Sequence, residues 1–329
     1  MAISARYDSF GAPSEVLYLS EIDDVSLTAG QIRLSVLRSP VNPSDLIQVS
    51  GNYGIKPELP AVPGNEGLGR VTEVSEGVTN VAPGNLVLLP AGVGAWQSNL
   101  VVKPSGLFPL PEADLDQLSM LTINPPTALL LLEEFVDLKP GDWMIQSAAN
   151  SAVGGYVIQL AHQKGIRTIN VVRRAELIAP LKAMGADVVL VDGPDLVADV
   201  AAAIGDGSVR LGIDAVAGET FARLVDCLAM GGVMVNYGAM SGVPSVFTPQ
   251  AAIFRDITAK GFWLAQWFRQ ADAARKQEVY GTLISMVAQG QLSAKVDAVY
   301  PLVQLDQAIS HASKSGRDGK VLIAPNEHG

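Results

Sequence analysis

Ser147-Ala148-Ala149-Asn150-Ser151-Ala152-Val153-Gly154-Gly155 follows the apolar run Trp143-Met144-Ile145-Gln146 and precedes Tyr156-Val157-Ile158-Gln159-Leu160-Ala161. Apolar residues recur at helical spacing in the last of these, so the order reads strand, small-residue turn, helix. Small residues let backbone N–H groups approach phosphate oxygens, and the first helical turn adds unsatisfied donors and the positive end of the helix dipole. A dinucleotide pyrophosphate suits such a turn. The full G-x-G-x-x-G pattern is missing, so a plain tight turn packing helix on strand is the competing reading of the nonamer alone.

Context decides between them. Thr168-Ile169-Asn170-Val171-Val172, Val188 to Val191, Leu211 to Ala215 and Val233 to Tyr237 read as further strands, separated by segments that can hold helices. That alternation predicts an α/β domain with a doubly wound parallel Rossmann sheet, and the nonamer turn follows its first strand. Arg173-Arg174 stand at the end of the second strand, where NAD-binding folds place an acidic residue on the ribose hydroxyls. A guanidinium pair suits a 2′-phosphate, which a carboxylate would repel, so NADPH is the expected cofactor; two solubilising surface arginines are the bland alternative. The turn Tyr237-Gly238-Ala239-Met240 follows another strand and is expected at the same ligand-binding edge of the sheet.

From residue 1 to about 121 the pattern is short and β-like, with Gln31 to Val36, Gly69 to Val74 and Asn85 to Leu89 between Gly and Pro turns, which predicts a barrel-like β domain. Pro40, Pro43, Pro57, Pro60 and Pro63 make the stretch from Asn42 to Glu66 read as a long loop or insertion without regular structure. Within it, the Tyr53 phenol of Asn52-Tyr53-Gly54 could donate a proton or hydrogen bond to a polarised carbonyl, although a tyrosine in a loop more often packs. The texture changes at Thr122-Ile123-Asn124-Pro125-Pro126-Thr127, and Ala128 to Phe135 reads as a mostly apolar helix with Asn124 or Thr127 near its start. Gly261-Phe262-Trp263-Leu264-Ala265-Gln266-Trp267 reads as an apolar edge strand, which invites pairing with a second copy and predicts a homodimer, with cover by the chain's own loops as the alternative. A helix is expected from about Ala271 to Gly290, followed by a β-like tail that rejoins the first domain. The expected domains are therefore 122–271 for the nucleotide and 1–121 with 272–329 for catalysis.

Bulk properties narrow the function classes. The chain has 329 residues, 48% of them hydrophobic, enough for two cores. A net charge of −10 without a basic stripe argues against a nucleic-acid partner. Cys227 is the single cysteine, and His162, His311 and His328 are far apart, so no Cys/His metal cluster is spelled out. No stretch is long and apolar enough for a membrane helix, and the first residues lack the look of a leader, which makes the cytoplasm the expected address.

Taken in order, Asn42-Pro43-Ser44-Asp45, Gly51-Asn52-Tyr53-Gly54, Leu59-Pro60-Ala61-Val62, Gly64-Asn65-Glu66-Gly67, Asn124-Pro125, Asn150-Ser151-Ala152-Val153-Gly154, Asn170-Val171-Val172-Arg173 and Gly261-Phe262-Trp263-Leu264 are similar to segments of the 2-enoyl thioester reductases. These are the mitochondrial-type trans-2-enoyl-CoA/ACP reductases, zinc-independent members of the medium-chain dehydrogenase/reductase superfamily. The resemblance spans nearly the whole chain and is most specific at Asn-Tyr-Gly and Gly-Phe-Trp-Leu. It implies a GroES-like, partly open β-barrel catalytic domain beside the Rossmann domain, and a place in fatty acid metabolism. It also implies an NADPH-dependent reduction of an enoyl-CoA or enoyl-ACP at the 2,3 double bond, with hydride going to the β-carbon. Tyr53 matches the family's catalytic tyrosine. The family's cofactor positions fall on Asn124, Asn150, Ser151, Ala152, Val153, Gly154, Arg173, Arg174, Tyr237, Gly238, Ala239, Met240, Phe262, Trp263, Leu264 and Lys320. Ala152 and Ala239 replace the family's usual glycines, which makes these turns bulkier. No metal is implied, because zinc-dependent cousins carry a histidine where Asn65 stands, and their cysteine-rich lobe has no counterpart. An NADPH-dependent quinone or enone reductase on the same fold is the alternative activity, and a nucleotide-binding protein without catalysis is a third.

Overall fold

Five short runs rich in β-branched and apolar residues between residues 143 and 236 are strands, and Thr258–Gly261 adds a sixth, exposed strand at the edge. All six pair in parallel, in the order Thr258–Gly261, Val233–Asn236, Val209–Asp214, Trp143–Gln146, Arg167–Val172, Val188–Val191. Strands buried on both faces need helices on both, and Ala152–Gln163, Ile178–Ala183, Leu196–Ile204 and Gly218–Cys227 supply crossovers between them. The direction of winding reverses between Trp143–Gln146 and Val209–Asp214, so their carboxyl ends diverge and leave a crevice. Trp143, Ile145, Ile169, Val171, Phe221, Leu224 and Met234 share one apolar cluster on this sheet.

The computed structural model describes residues 2–23 and 25–327, so His328 lies outside it. It divides into two units, Asn124–Gly281 and Met1–Ile123 with Thr282–Gly329. The second crossing comes after Gly281 rather than Ala271, because one continuous helix, Ala273–Ala288, carries the chain across. The apolar helix near residue 128 begins earlier than its first alanine, at Asn124, and runs to Glu133. Every residue in it from Asn124 to Leu132 is buried, as suits a helix apolar all round.

Unit 1, the one that holds both ends of the chain, is built on a sheet ordered Val296–Pro301, Lys320–Ala324, Ile32–Pro40, Leu68–Val74, Leu86–Leu88, with Asn99–Val102 also pairing to Ile32–Pro40. Alternation along Ile32–Pro40 sends Ile32, Leu34 and Val36 into a core with Trp96, Val321 and Ile323. Strand Lys320–Ala324 comes from the far end of the chain and pairs antiparallel to Ile32–Pro40, which is how the tail rejoins this unit.

Two expectations need correction. The stretch from Asn42 to Glu66 is not without regular structure, because Pro43–Val49 is a helix. Proline at the first helical position loses no hydrogen bond, and Asn42 and Asp45 cap the start. Gly261 to Trp267 is not one edge strand. The strand is Thr258–Gly261, and after Phe262 and Trp263 the chain turns into the helix Leu264–Gln270. Aromatic and leucine residues there suit either state. The strand does lie at the sheet's edge, exposed along its length.

Candidate active site

In unit 2, Asn124–Gly281, the turn from Ser147 to Gly155 joins the first parallel strand to helix Ala152–Gln163. Ser151 caps helix Ala152–Gln163, its Oγ accepting from the Gly154 N–H at 3.1 Å. A Cβ on Gly154 would lie 2.5 Å from the Ala149 carbonyl oxygen and 2.7 Å from its Cα, so helix and turn approach too closely for any side chain there. Ala148 takes a φ of 47°, a left-handed conformation usually left to glycine. Asn150 is exposed, Ser151 and Ala152 half-buried, and Val153 buried at the foot of the helix.

Polar side chains at strand ends brace this turn from below, and sequence patterning does not single them out as site residues. Asp214, fully buried, accepts from Ser147 Oγ at 2.6 Å, from the N–H groups of Val216 and Ala217 at 3.0 and 2.7 Å, and from Asn236 Nδ2 at 2.9 Å. Three neighbouring strand ends are thereby tied to one carboxylate. Gln146 Nε2 donates to the Gly154 carbonyl at 3.1 Å and to Asn170 Oδ1 at 2.7 Å, and Asn170 Nδ2 donates to Thr168 Oγ1 at 2.8 Å. The signal available in the sequence is a polar residue closing each apolar run: Gln146, Asp214 and Asn236 are each the last residue of a parallel strand.

Arg173 and Arg174 follow strand Arg167–Val172. Arg173 is exposed, and among the described residues its guanidinium makes no ion pair or hydrogen bond. Arg174 pairs with Glu176 at 2.8 Å. The Tyr237 N–H donates to the Asp214 carbonyl at 2.9 Å and that of Met240 to Ala215 at 3.0 Å, which folds residues 237–240 over the end of Val209–Asp214. Gly238 is needed in that turn, where a Cβ would lie 2.9 Å from the Ala215 carbonyl oxygen, whereas Ala239 and Met240 are exposed. Burial, with the Asp214 charge adding to it, raises the Tyr237 phenol above its usual range and keeps it neutral. Phe262 donates its N–H to the Asn236 carbonyl at 2.9 Å and sets its ring edge-on to Phe135; Trp263 lies under the Arg269 guanidinium, and Leu264 begins the next helix. Asn124 is buried at the start of its own helix.

Tyr53 and Lys320 belong to unit 1. Tyr53, half-buried, follows the helix Pro43–Val49 by a turn in which the Asn52 N–H donates to the Ile47 carbonyl at 3.0 Å and Asn52 Nδ2 to Ser50 Oγ at 3.1 Å. Gly51 takes a φ of 78°, and a Cβ there would lie 2.9 Å from Phe10. Lys320 is buried, its Nζ donating to Asn42 Oδ1 at 2.5 Å and to the Val41 carbonyl at 3.2 Å. Among the described residues no group of three His, Cys, Asp or Glu side chains is placed to hold a metal ion, and no helix is long and apolar enough to cross a membrane.

Comparison with known proteins agrees with this geometry. Residues 152–289 match the zinc-binding dehydrogenase family and residues 28–112 the alcohol dehydrogenase GroES-like domain. The mitochondrial enoyl-[acyl-carrier-protein] reductase of Homo sapiens is 36% identical over 96% of this chain and 87% of its own length. That of Arabidopsis thaliana is 34% identical over 96% of this chain and 86% of its own. The mitochondrial 2-enoyl thioester reductase Etr1p/Etr2p heterodimer from Candida tropicalis superposes with a TM-score of 0.90 at 28% identity, covering 98% of this chain and 99% of that one. The Etr1p complex with NADP and crotonyl-CoA superposes with the same TM-score of 0.90, at 28% identity over 98% of this chain and 99% of that one. One expectation falls. The cytoplasmic address is overturned by these relatives, whose names are mitochondrial.

Proposed function

Because the chain belongs to the 2-enoyl thioester reductase family of medium-chain dehydrogenases, we propose that Tyr53 is its catalytic donor and that Arg173 and Arg174 select NADPH. The activity is the NADPH-dependent reduction of the 2,3 double bond of trans-2-enoyl thioesters. When bound, the nicotinamide supplies the hydride that adds at the β-carbon.

Unit 2 is suited to hold that cofactor. The free N–H groups of the first turn of Ala152–Gln163, left available because Ser151 caps from the side, bind the pyrophosphate. The unengaged Arg173 guanidinium takes the 2′-phosphate, with Arg174 beside it exchanging its pair with Glu176. The turn at Tyr237-Gly238-Ala239-Met240, the run Phe262-Trp263-Leu264 and Asn124 complete the cofactor contacts. Negative charge develops on the thioester oxygen as the β-carbon accepts hydride, and a positioned phenol O–H lowers that barrier by hydrogen bonding to the oxygen or by delivering a proton to the α-carbon. The observation that carries this assignment is Tyr53 itself, inside Asn52-Tyr53-Gly54 on a turn braced by its helix, in a chain similar to the reductases along its length. The exposed edge strand Thr258–Gly261 is suited to pair with a second copy, so the working form is a homodimer, serving fatty acid metabolism with CoA or acyl carrier protein as the thiol.

Purified protein should oxidise NADPH with crotonyl-CoA faster than with benzoquinone. Tyr53→Phe should lower kcat by roughly 10²-fold, the loss typical of removing one oxyanion donor. Full activity in Tyr53→Phe, or preference for the quinone, would overturn the assignment.

A further inference from the structure

Tyr53 stands on a short arch of chain, and a side chain from the start of the sequence braces both feet of that arch. The first foot is the end of helix Pro43–Val49, where the Gly51 N–H donates to the Gln48 carbonyl and the Asn52 N–H to the Ile47 carbonyl, both at 3.0 Å. The second is tied back to the same helix by Gln48 Nε2, which donates to the Ile55 carbonyl at 3.3 Å. Phe10 reaches both. A Cβ on Gly51 would lie 2.9 Å from Phe10 Cβ and 3.0 Å from its Cγ, so the phenylalanine rests on bare glycine backbone held at a φ of 78°. At the other foot the Lys56 ammonium stands 5.7 Å from the centre of the Phe10 ring, within range of a cation–π attraction.

Phe10 is itself held on both flanks. Tyr7 and Ala61 exchange N–H to carbonyl bonds of 3.0 Å in both directions, and the Gly11 N–H donates to the Val49 carbonyl at 3.2 Å. The Phe10 ring is half-buried against the apolar core of unit 1, its centre 6.2 Å from that of Tyr7. Asn52 to Ile55, by contrast, belong to no helix or strand, and only Tyr53 among them is even half-buried. The place of Tyr53 is therefore set by what holds the feet of its arch. We propose that Phe10 is a positioning residue for the reaction: resting on Gly51 and drawing in Lys56, it closes the arch and fixes the Tyr53 hydroxyl for the thioester oxygen. This rests on the assignment of Tyr53 above. Apolar bulk at position 10 would suffice for packing, but only an aromatic face also engages the Lys56 cation. Without the ring, the arch hangs on its helix bonds alone.

Phe10→Ala should lower kcat with crotonyl-CoA by about tenfold or more, since a misplacement of about 1 Å at a reacting group is that costly. The deciding measurement is a double-mutant cycle. In a Tyr53→Phe background the same substitution should lower kcat by less than about twofold, because the phenol through which Phe10 acts is gone. An equal loss in both backgrounds would overturn the inference and leave Phe10 a packing residue, as would native kcat in Phe10→Ala. Lys56→Met should lose about threefold in kcat and Lys56→Arg should keep the native rate, because a guanidinium preserves the cation over the ring. Lys56 is exposed, so this pair carries the test if Phe10→Ala does not fold, and equal rates in the two variants would then overturn the inference. An arm without substrate separates this reading from the one it rests on. With ¹³C-labelled tyrosine, the Tyr53 ring signal, identified by its loss in Tyr53→Phe, should move in Phe10→Ala towards that of a free tyrosine. An unmoved signal would overturn the inference, whereas full activity in Tyr53→Phe with a moved signal would sink only the assignment of Tyr53.

Discussion

Gly154 and Ser151 show how two side chains, one of them missing, shape the proposed phosphate turn in a sequence that lacks the usual glycines. Only the last glycine of the pattern is sterically compelled, since a Cβ at Gly154 would lie 2.5 Å from a backbone oxygen. Gly154→Ala should therefore cost about 1–3 kcal/mol of stability by overpacking and weaken NADPH binding at least tenfold, read by urea unfolding and fluorescence titration. Ser151→Ala removes the cap from the Gly154 N–H and should cost about 1 kcal/mol, visible as a lower Tm, with weaker cofactor binding as well. Position makes this turn legible: it follows the first parallel strand and stands one strand before Arg173. The bracing from Asp214 and Gln146 is not legible, because a carboxylate at a strand end gains its meaning only from Ser147, Val216, Ala217 and Asn236 converging on it.

The elements divide into those whose periodicity speaks for itself and those settled by their neighbours. The parallel strands are legible because strands covered on both faces are continuously apolar. Helix Pro43–Val49 is hidden by its prolines, which forbid a helix interior but suit its first position, and by a cap whose partner Asp45 is three residues on. The segment after Thr258–Gly261 is hidden by aromatic residues common to strands and amphipathic helices. Between helix Pro43–Val49 and strand Leu68–Val74, the chain passes Trp96 through Gly64, at a φ of 98° and with a would-be Cβ 2.5 Å from the Trp96 ring. Gly64→Ala combines left-handed strain with a clash against a fully buried indole, so it should destabilise by about 2–4 kcal/mol, seen as a lower urea midpoint and a changed Trp fluorescence.

Glu66, buried and accepting from Asn42 Nδ2 at 2.7 Å and from the Ile123 N–H at 2.9 Å, and the buried Lys320 also give the molecule as a whole a pH dependence of stability. Glu66 titrates at about 8 in the folded chain against 4.5 as its ordinary value, so its contribution is present below pH 4.5 and lost as pH rises to about 8. Lys320 titrates at about 8 against 10.5, so its contribution is present above pH 10.5 and lost as pH falls to about 8. Both contributions are poorest near pH 8. Urea unfolding should show the native chain losing stability between pH 5 and pH 8 relative to Glu66→Gln, by at least about 1 kcal/mol, since a tenfold difference in proton affinity between folded and unfolded chains is worth about that much.

Strand Lys320–Ala324, which pairs with the end of Ile32–Pro40 in unit 1, is made after Asn124–Gly281, which is one uninterrupted stretch. On a translating ribosome the later-coded unit can therefore finish folding before the earlier-coded one, reversing the usual order of synthesis. Until the closing strand arrives, the nascent segment before Asn124 presents an open sheet edge at Ser39 and Pro40, with Glu66 and Asp45 still lacking their ammonium partner. Chaperone engagement and protease sensitivity of stalled chains should persist in that segment until residue 324 has emerged, long after the middle of the chain has become resistant.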